Sequence, residues 1–179
     1  MPGDIWVIDT SSILEIRRDH DKAQLQIPKG KQPGVYSALG ALVDQGVLVY
    51  PAAVLRELER QAGVVAATGK RDLPFEWAKK NAEQGTRFAR DYVALREVLE
   101  YSGMEKLIDY EAKGGAEAAD PWILALAFSL NKQGYATRVI TEDRNNLPDK
   151  VALASACGIV NVATLRVGAF LLHKQIPTK

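Results

Sequence analysis

The sequence predicts an α/β protein built on a parallel β-sheet of about four strands flanked by helices. Three observations lead there. Residues 4–9 (DIWVID) form a short, nearly continuous apolar run rich in β-branched side chains, the pattern of a strand buried on both faces. That run passes directly into Thr10, Ser11 and Ser12, good helix-capping residues, followed by Ile13, Leu14 and Ile16. The same alternation recurs along the chain, and strands separated by helices pair in parallel through right-handed crossovers, with helices on both faces.

After that first unit, residues 20–34 are polar and hold two Pro and two Gly, which reads as a loop, and 36–44 reads as a helix. A second strand over 47–50 stops at Pro51. Residues 53–61 then set Val54, Leu55 and Leu58 at helical spacing. From 75 to 107 the pattern is helical, broken near Gly85 and Gly103, so about 62–116 forms an enlarged helical segment without a strand signal. The loop KGGAEAAD (113–120) introduces an apolar helix over 121–130. A strand over 138–141, a polar turn, a helix over 150–157, a strand over 159–162 and a helix over 165–173 complete the series. With no internal repeat and no low-complexity tract, residues 1–179 read as a single domain.

Composition narrows the function classes. Cys157 is the only cysteine, so no disulfide forms within the chain, and its setting SACGIV suits a small buried thiol. No apolar run approaches the roughly 18 residues that span a membrane, and no basic start precedes a long apolar stretch. A cytoplasmic protein with no membrane partner is therefore expected. The net charge of +1, from 23 basic and 22 acidic residues, excludes the global positive field of a histone-like binder. Nucleic-acid contact must then use a local patch. Residues 70–96 supply one, with Lys70, Arg71, Lys79, Lys80, Arg87, Arg90 and Arg96 against four acids. Lys79, Lys80, Arg87 and Arg90 are the phosphate-contact candidates, and a solvated helical face is the competing reading.

The acids carry more information. Asp9 closes the first strand, Asp143 follows the third, and Asp120 opens the helix feeding that third strand. Glu57, early in the helix after the second strand, reaches the same edge from the side. Parallel sheets bind ligands beyond the carboxyl ends of their strands, where the strand order reverses. Four carboxylates gathered there repel one another without a cation, and oxygen-only ligands suit Mg²⁺ or Mn²⁺. Each acid also has a structural alternative. Asp9 can cap the first helix, Asp120 can be an N-cap with Pro121 at the first helical position, Asp143 can stabilise a turn, and Glu57 can sit on an exposed helix face. Glu59 and Glu142 stand beside two of them, so Glu57 against Glu59 and Asp143 against Glu142 stay open from residue spacing.

The segments VIDTSSIL (7–14), YPAAVLRELER (50–60), EAADPWILALA (117–127), VITEDRN (139–145) and GIVNVATLRVGAFL (158–171) resemble, in that order, the motifs of the PIN domains, metal-dependent ribonucleases related in fold to flap nucleases. The resemblance implies a PIN-like α/β fold over the whole chain. It places the family's four acidic positions on Asp9, Glu57, Asp120 and Asp143, as catalytic residues and metal ligands, and its polar helper positions on Ser11 and Thr141. Glu117 is an accessory acid or part of a loop. The segment at 62–116 exceeds that of the compact toxin members, so the chain looks closer to the larger PIN-like branch. The role of toxin, with an antitoxin protein as partner, is left open, as is a homodimer.

The implied activity is endoribonuclease cleavage of single-stranded or structured RNA with Mg²⁺ or Mn²⁺, leaving a 5′-phosphate. His20 and His173 fall in a polar loop and near the C-terminus, poor places for a paired acid and base. Two rival readings compete with this activity. An Asp ending the first strand also suits a haloacid-dehalogenase phosphatase, but that chemistry needs a second Asp two residues on, where Ser11 stands. A catalytically silent module holding RNA or protein is the other, and retention of all four acids argues against it. Whether one metal or two is bound, and whether DNA is also cut, stay open.

Overall fold

β1 (Asp4–Ile8) is buried at every position but its first, as a strand covered on both faces must be. The computed structural model describes residues 3–17, 25–62, 72–104, 106–107 and 118–179. After β1 come α1 (Thr10–Glu15), α2 (Gln32–Asp44), β2 (Leu48–Val49) and α3 (Ala52–Gln61). The helical segment holds α4 (Leu73–Lys80), α5 (Ala82–Gly85) and α6 (Tyr92–Leu99). Then follow α7 (Ala119–Lys132), β3 (Ala136–Ile140), α8 (Leu153–Ile159), β4 (Ala163–Leu165) and α9 (Val167–His173).

All four strands are parallel and lie in the order β2-β1-β3-β4, the α/β architecture expected. Trp6 pairs with Leu48 on one side and Arg138 on the other, while Ile8 lies beside Ile140 and Ile140 beside Leu165. The chain leaves β1 to one side for β2 and returns to the other for β3. Strand order therefore reverses between β1 and β3, and their carboxyl ends open side by side. α7 is buried from Pro121 to Phe128, because it packs on β1, β3 and α6 together. On β1, the Trp6 ring packs against Phe170 of α9 with centroids 5.0 Å apart. One continuous apolar cluster joins these layers. Among the described residues no helix is long and apolar enough to cross a membrane.

Several boundaries differ from those expected. Residues 32–34 are not loop but the first turn of α2, where Pro33 is tolerated because an N–H at that position has no intrahelical partner. The stretch over 75–107 divides into three helices. Asp72 begins α4 by accepting the Phe75 N–H at 3.3 Å, and Asp91 begins α6 by accepting the Ala94 N–H at 2.9 Å. At Gly85, where α5 ends, a side chain has no room, since a Cβ there would run into the Tyr50 ring. Residues 159–162 are not a strand. Ile159 ends α8, Asn161 takes φ 57, and Val162 N–H donates to Cys157 O at 2.9 Å, a helix-closing turn after which β4 starts at Ala163. Residues 18–24, 63–71, 105 and 108–117, and with them His20, Lys70, Arg71 and Glu117, lie outside the described residues.

Candidate active site

Asp9 leaves β1 at the reversal point with 3% exposure. Its Oδ2 accepts hydrogen bonds from the Ser11 hydroxyl and from Thr141 Oγ1, the latter at 2.9 Å. Each hydroxyl also accepts one bond: Ser11 Oγ from Glu142 N–H at 3.1 Å and Thr141 Oγ1 from Asp143 N–H at 3.0 Å. The exits of β1 and β3 are thereby tied through one carboxylate. Asp9 occupies the N-cap position of α1, but its side chain makes no capping bond.

Glu57 approaches from α3, where Thr10 Oγ1 donates to its Oε2 at 2.6 Å and the Ala119 N–H to its Oε1 at 2.8 Å. The first-turn donor of α7 is thus satisfied by Glu57. Asp120 is not the N-cap of that helix: α7 begins at Ala119, one residue before it, which frees the Asp120 carboxylate to point elsewhere. It pairs with Lys150 Nζ at 3.1 Å. Asp143 Oδ2 meets the same ammonium at 3.1 Å and accepts the Leu153 N–H at the start of α8 at 3.1 Å.

The two neighbouring acids go elsewhere. Glu59 is exposed on α3. Glu142 accepts the Val167 N–H at 2.7 Å and faces Arg166 at 3.4 Å, so it serves the first turn of α9. Asp9, Glu57, Asp120 and Asp143 instead line one open cleft of about 320 Å³ with Thr10, Ser11, Leu14, Gln61 and Lys150.

Burial pushes the Asp9 carboxyl up from 3.8 to about 7, helped by the negative charges of Asp120 and Glu57 and opposed by the bonds from Ser11 and Thr141. Burial also raises Asp120; Lys150 works against that shift, while Asp143 and Glu57 add to it. For Lys150, burial disfavours the ammonium, yet Asp120 and Asp143 outweigh it and hold the pKa above its ordinary value. Among the described residues the cleft lining sets one ammonium, paired with two acids, against four carboxyl groups, a charge imbalance that a divalent cation would relieve. The all-oxygen donor set fits Mg²⁺ or Mn²⁺. As the side chains stand, though, no group of three acidic, histidine or cysteine residues among those described is drawn close enough to hold an ion. Lys150 lies between two of the donors.

The basic candidates do not line this cleft. Lys79 lies over the Phe75 ring, and Lys80 borders a groove between α2 and α4. Arg87 donates to Gly46 O at 2.8 Å, and Arg90 covers the Trp122 ring at 4.7 Å. His173 packs its ring against Trp6, and burial pushes the Cys157 thiol up to about 12. Sequence reasoning missed Thr10, Gln61 and Lys150. Thr10 was accessible to it, being next to Asp9 at the strand-to-helix junction. Lys150 carried no signal, because its position depends on a turn in which Leu147 and Lys150 bridge back to back, with Leu147 N–H donating to Lys150 O at 2.8 Å.

These features define an α/β protein with an acidic cleft where two adjacent parallel strands end. The chain belongs to the family described as Domain of unknown function (DUF4411), whose model matches residues 6–178 and so takes in all four acids and Lys150. No curated protein and no solved structure matches the chain.

Proposed function

We propose that this protein is a Mg²⁺- or Mn²⁺-dependent nuclease that hydrolyses phosphodiester bonds, with RNA as substrate. The observation that carries the reading is the meeting of Asp9 and Asp143, just past β1 and β3, with Glu57 of α3 and Asp120 of α7 in one cleft at the reversal point of the sheet. The choice of RNA rests on the resemblance to the PIN-domain ribonucleases.

In this reading acids of the cleft supply the oxygens for the cation, which when bound supplies a Lewis acid for the phosphoryl group and lowers the pKa of water. The chain's own contribution is placement. Ser11 and Thr141 both donate to Asp9 Oδ2, which fixes the carboxylate and leaves Oδ1 for the cleft. Thr10 and the Ala119 N–H fix both oxygens of Glu57. No side-chain nucleophile is called for, and Cys157, buried with its pKa raised, is unsuited to be one.

Single-stranded RNA incubated with the full chain should be cut in Mn²⁺ and left intact in EDTA, and Asp9→Asn should lower the rate at least about a hundredfold with circular dichroism unchanged. Undiminished cutting by folded Asp9→Asn rules the site out. One observation favours a second reading, a binding module without turnover: Lys150 already neutralises part of the charge on Asp120 and Asp143. That reading requires RNA binding with no Mn²⁺-dependent cleavage at any protein concentration.

A further inference from the structure

The acidic cleft contains a cation of its own. Lys150 Nζ stands 3.1 Å from Asp120 Oδ2 and 3.1 Å from Asp143 Oδ2, so one ammonium bridges two of the four acids. Among the described residues, the donors to the other two are neutral: Ser11 and Thr141 on Asp9, Thr10 and the Ala119 N–H on Glu57. Lys150 is also held in place by the chain around it. Its backbone bridges to Leu147, and Asn146 Oδ1 accepts the Ala152 N–H at 2.8 Å, which closes the turn that carries Lys150. Sites that carry out phosphoryl transfer commonly set two positive centres about 4 Å apart, one for the attacking and one for the leaving oxygen. An ammonium between Asp120 and Asp143 already supplies one such centre.

We propose that Lys150 is the built-in second cation of this cleft, so that the protein takes up one divalent ion, on the Asp9 and Glu57 side, and not two. This rests on the metal-dependent reading above. A second ion on the Asp143 side would have to displace an ammonium that two carboxylates and a bridged turn hold in place.

The test counts bound Mn²⁺ on the metal-free full chain, by electron paramagnetic resonance of free ion against total, for the wild type, Lys150→Arg and Lys150→Met. The expected result is one ion per chain for the wild type and Lys150→Arg, and two for Lys150→Met. Two ions of similar affinity on the wild type overturn the proposal, and so does a single ion on folded Lys150→Met. Lys150→Gln, which keeps a hydrogen-bond donor beside Asp143, takes the place of Lys150→Met if that variant does not fold, with the same expected count. Uptake by none of the proteins removes the metal-dependent reading itself, and this proposal with it, so the two failures are told apart.

Discussion

Glu142 and Asp143 are neighbours in sequence and serve different helices. Glu142 closes the first turn of α9 and pairs with Arg166, whereas Asp143 reaches Lys150 and the first turn of α8 from inside the cleft. Their amide variants should therefore separate. Asp143→Asn is expected to lose part of the thermal stabilisation that Mn²⁺ confers, because Lys150 keeps only one of its two carboxylates and its ammonium is freer to compete with the ion for the oxygens of the cleft. Glu142→Gln should keep that response and cost about 1 kcal/mol of stability through the weakened contact at α9. Thermal unfolding with and without Mn²⁺ decides it, and a reversed pattern would mean that Glu142, and not Asp143, acts on the cation of the cleft.

At the scale of elements, the site depends on how α3 is delivered to it. Tyr50 precedes α3, donates its hydroxyl to Ala78 O at 2.6 Å and lays its ring against Gly85, whose carbonyl accepts the Tyr50 N–H at 2.9 Å. A methyl group on residue 85 has no room, and Tyr50 is fully buried, so it cannot swing aside. Gly85→Ala should cost about 1–3 kcal/mol, seen as a fall of several degrees in the unfolding midpoint. An unchanged midpoint would mean that α5 relaxes without disturbing Tyr50. The end of α8 shows why periodicity misplaced β4. Ile159, Val160 and Val162 look like a strand, but Asn161 accepts the left-handed conformation that closes a helix, and the last apolar residues pack as its terminus.

For the whole molecule, the cleft makes stability depend on pH. In the metal-free protein the Asp9 pKa is raised from 3.8 to about 7, first by burial and then by neighbouring charge, so the folded state binds that proton more tightly than the unfolded chain. The contribution is complete below about 3.8 and is lost as pH rises through about 7. In EDTA, the wild type should lose stability between pH 5 and pH 8 relative to Asp9→Asn, by on the order of a few kcal/mol at most. Parallel curves for the two proteins would show that Asp9 is ionised throughout. With a total charge of +1 near neutral pH, general charge repulsion adds little to this dependence.

The alternation of strand and helix, the buried character of residues 4–8 and the placing of Asp9, Asp120 and Asp143 near strand exits were all legible in the chain, because they depend on local periodicity and on the rule that parallel strands end at a common edge. Resemblance selected Glu57 over Glu59, and the fold turns Glu57 toward Thr10 and Ala119 while Glu59 stays exposed. The partners of each acid were decided only in three dimensions. That Glu57 and not Asp120 satisfies the Ala119 N–H, that Glu142 serves α9, and that Lys150 bridges Asp120 and Asp143 all depend on side chains distant in sequence. Periodicity reports which face of an element is apolar. It does not report which charged group a long-range crossover will set opposite another, and that pairing governs the electrostatics of the cleft.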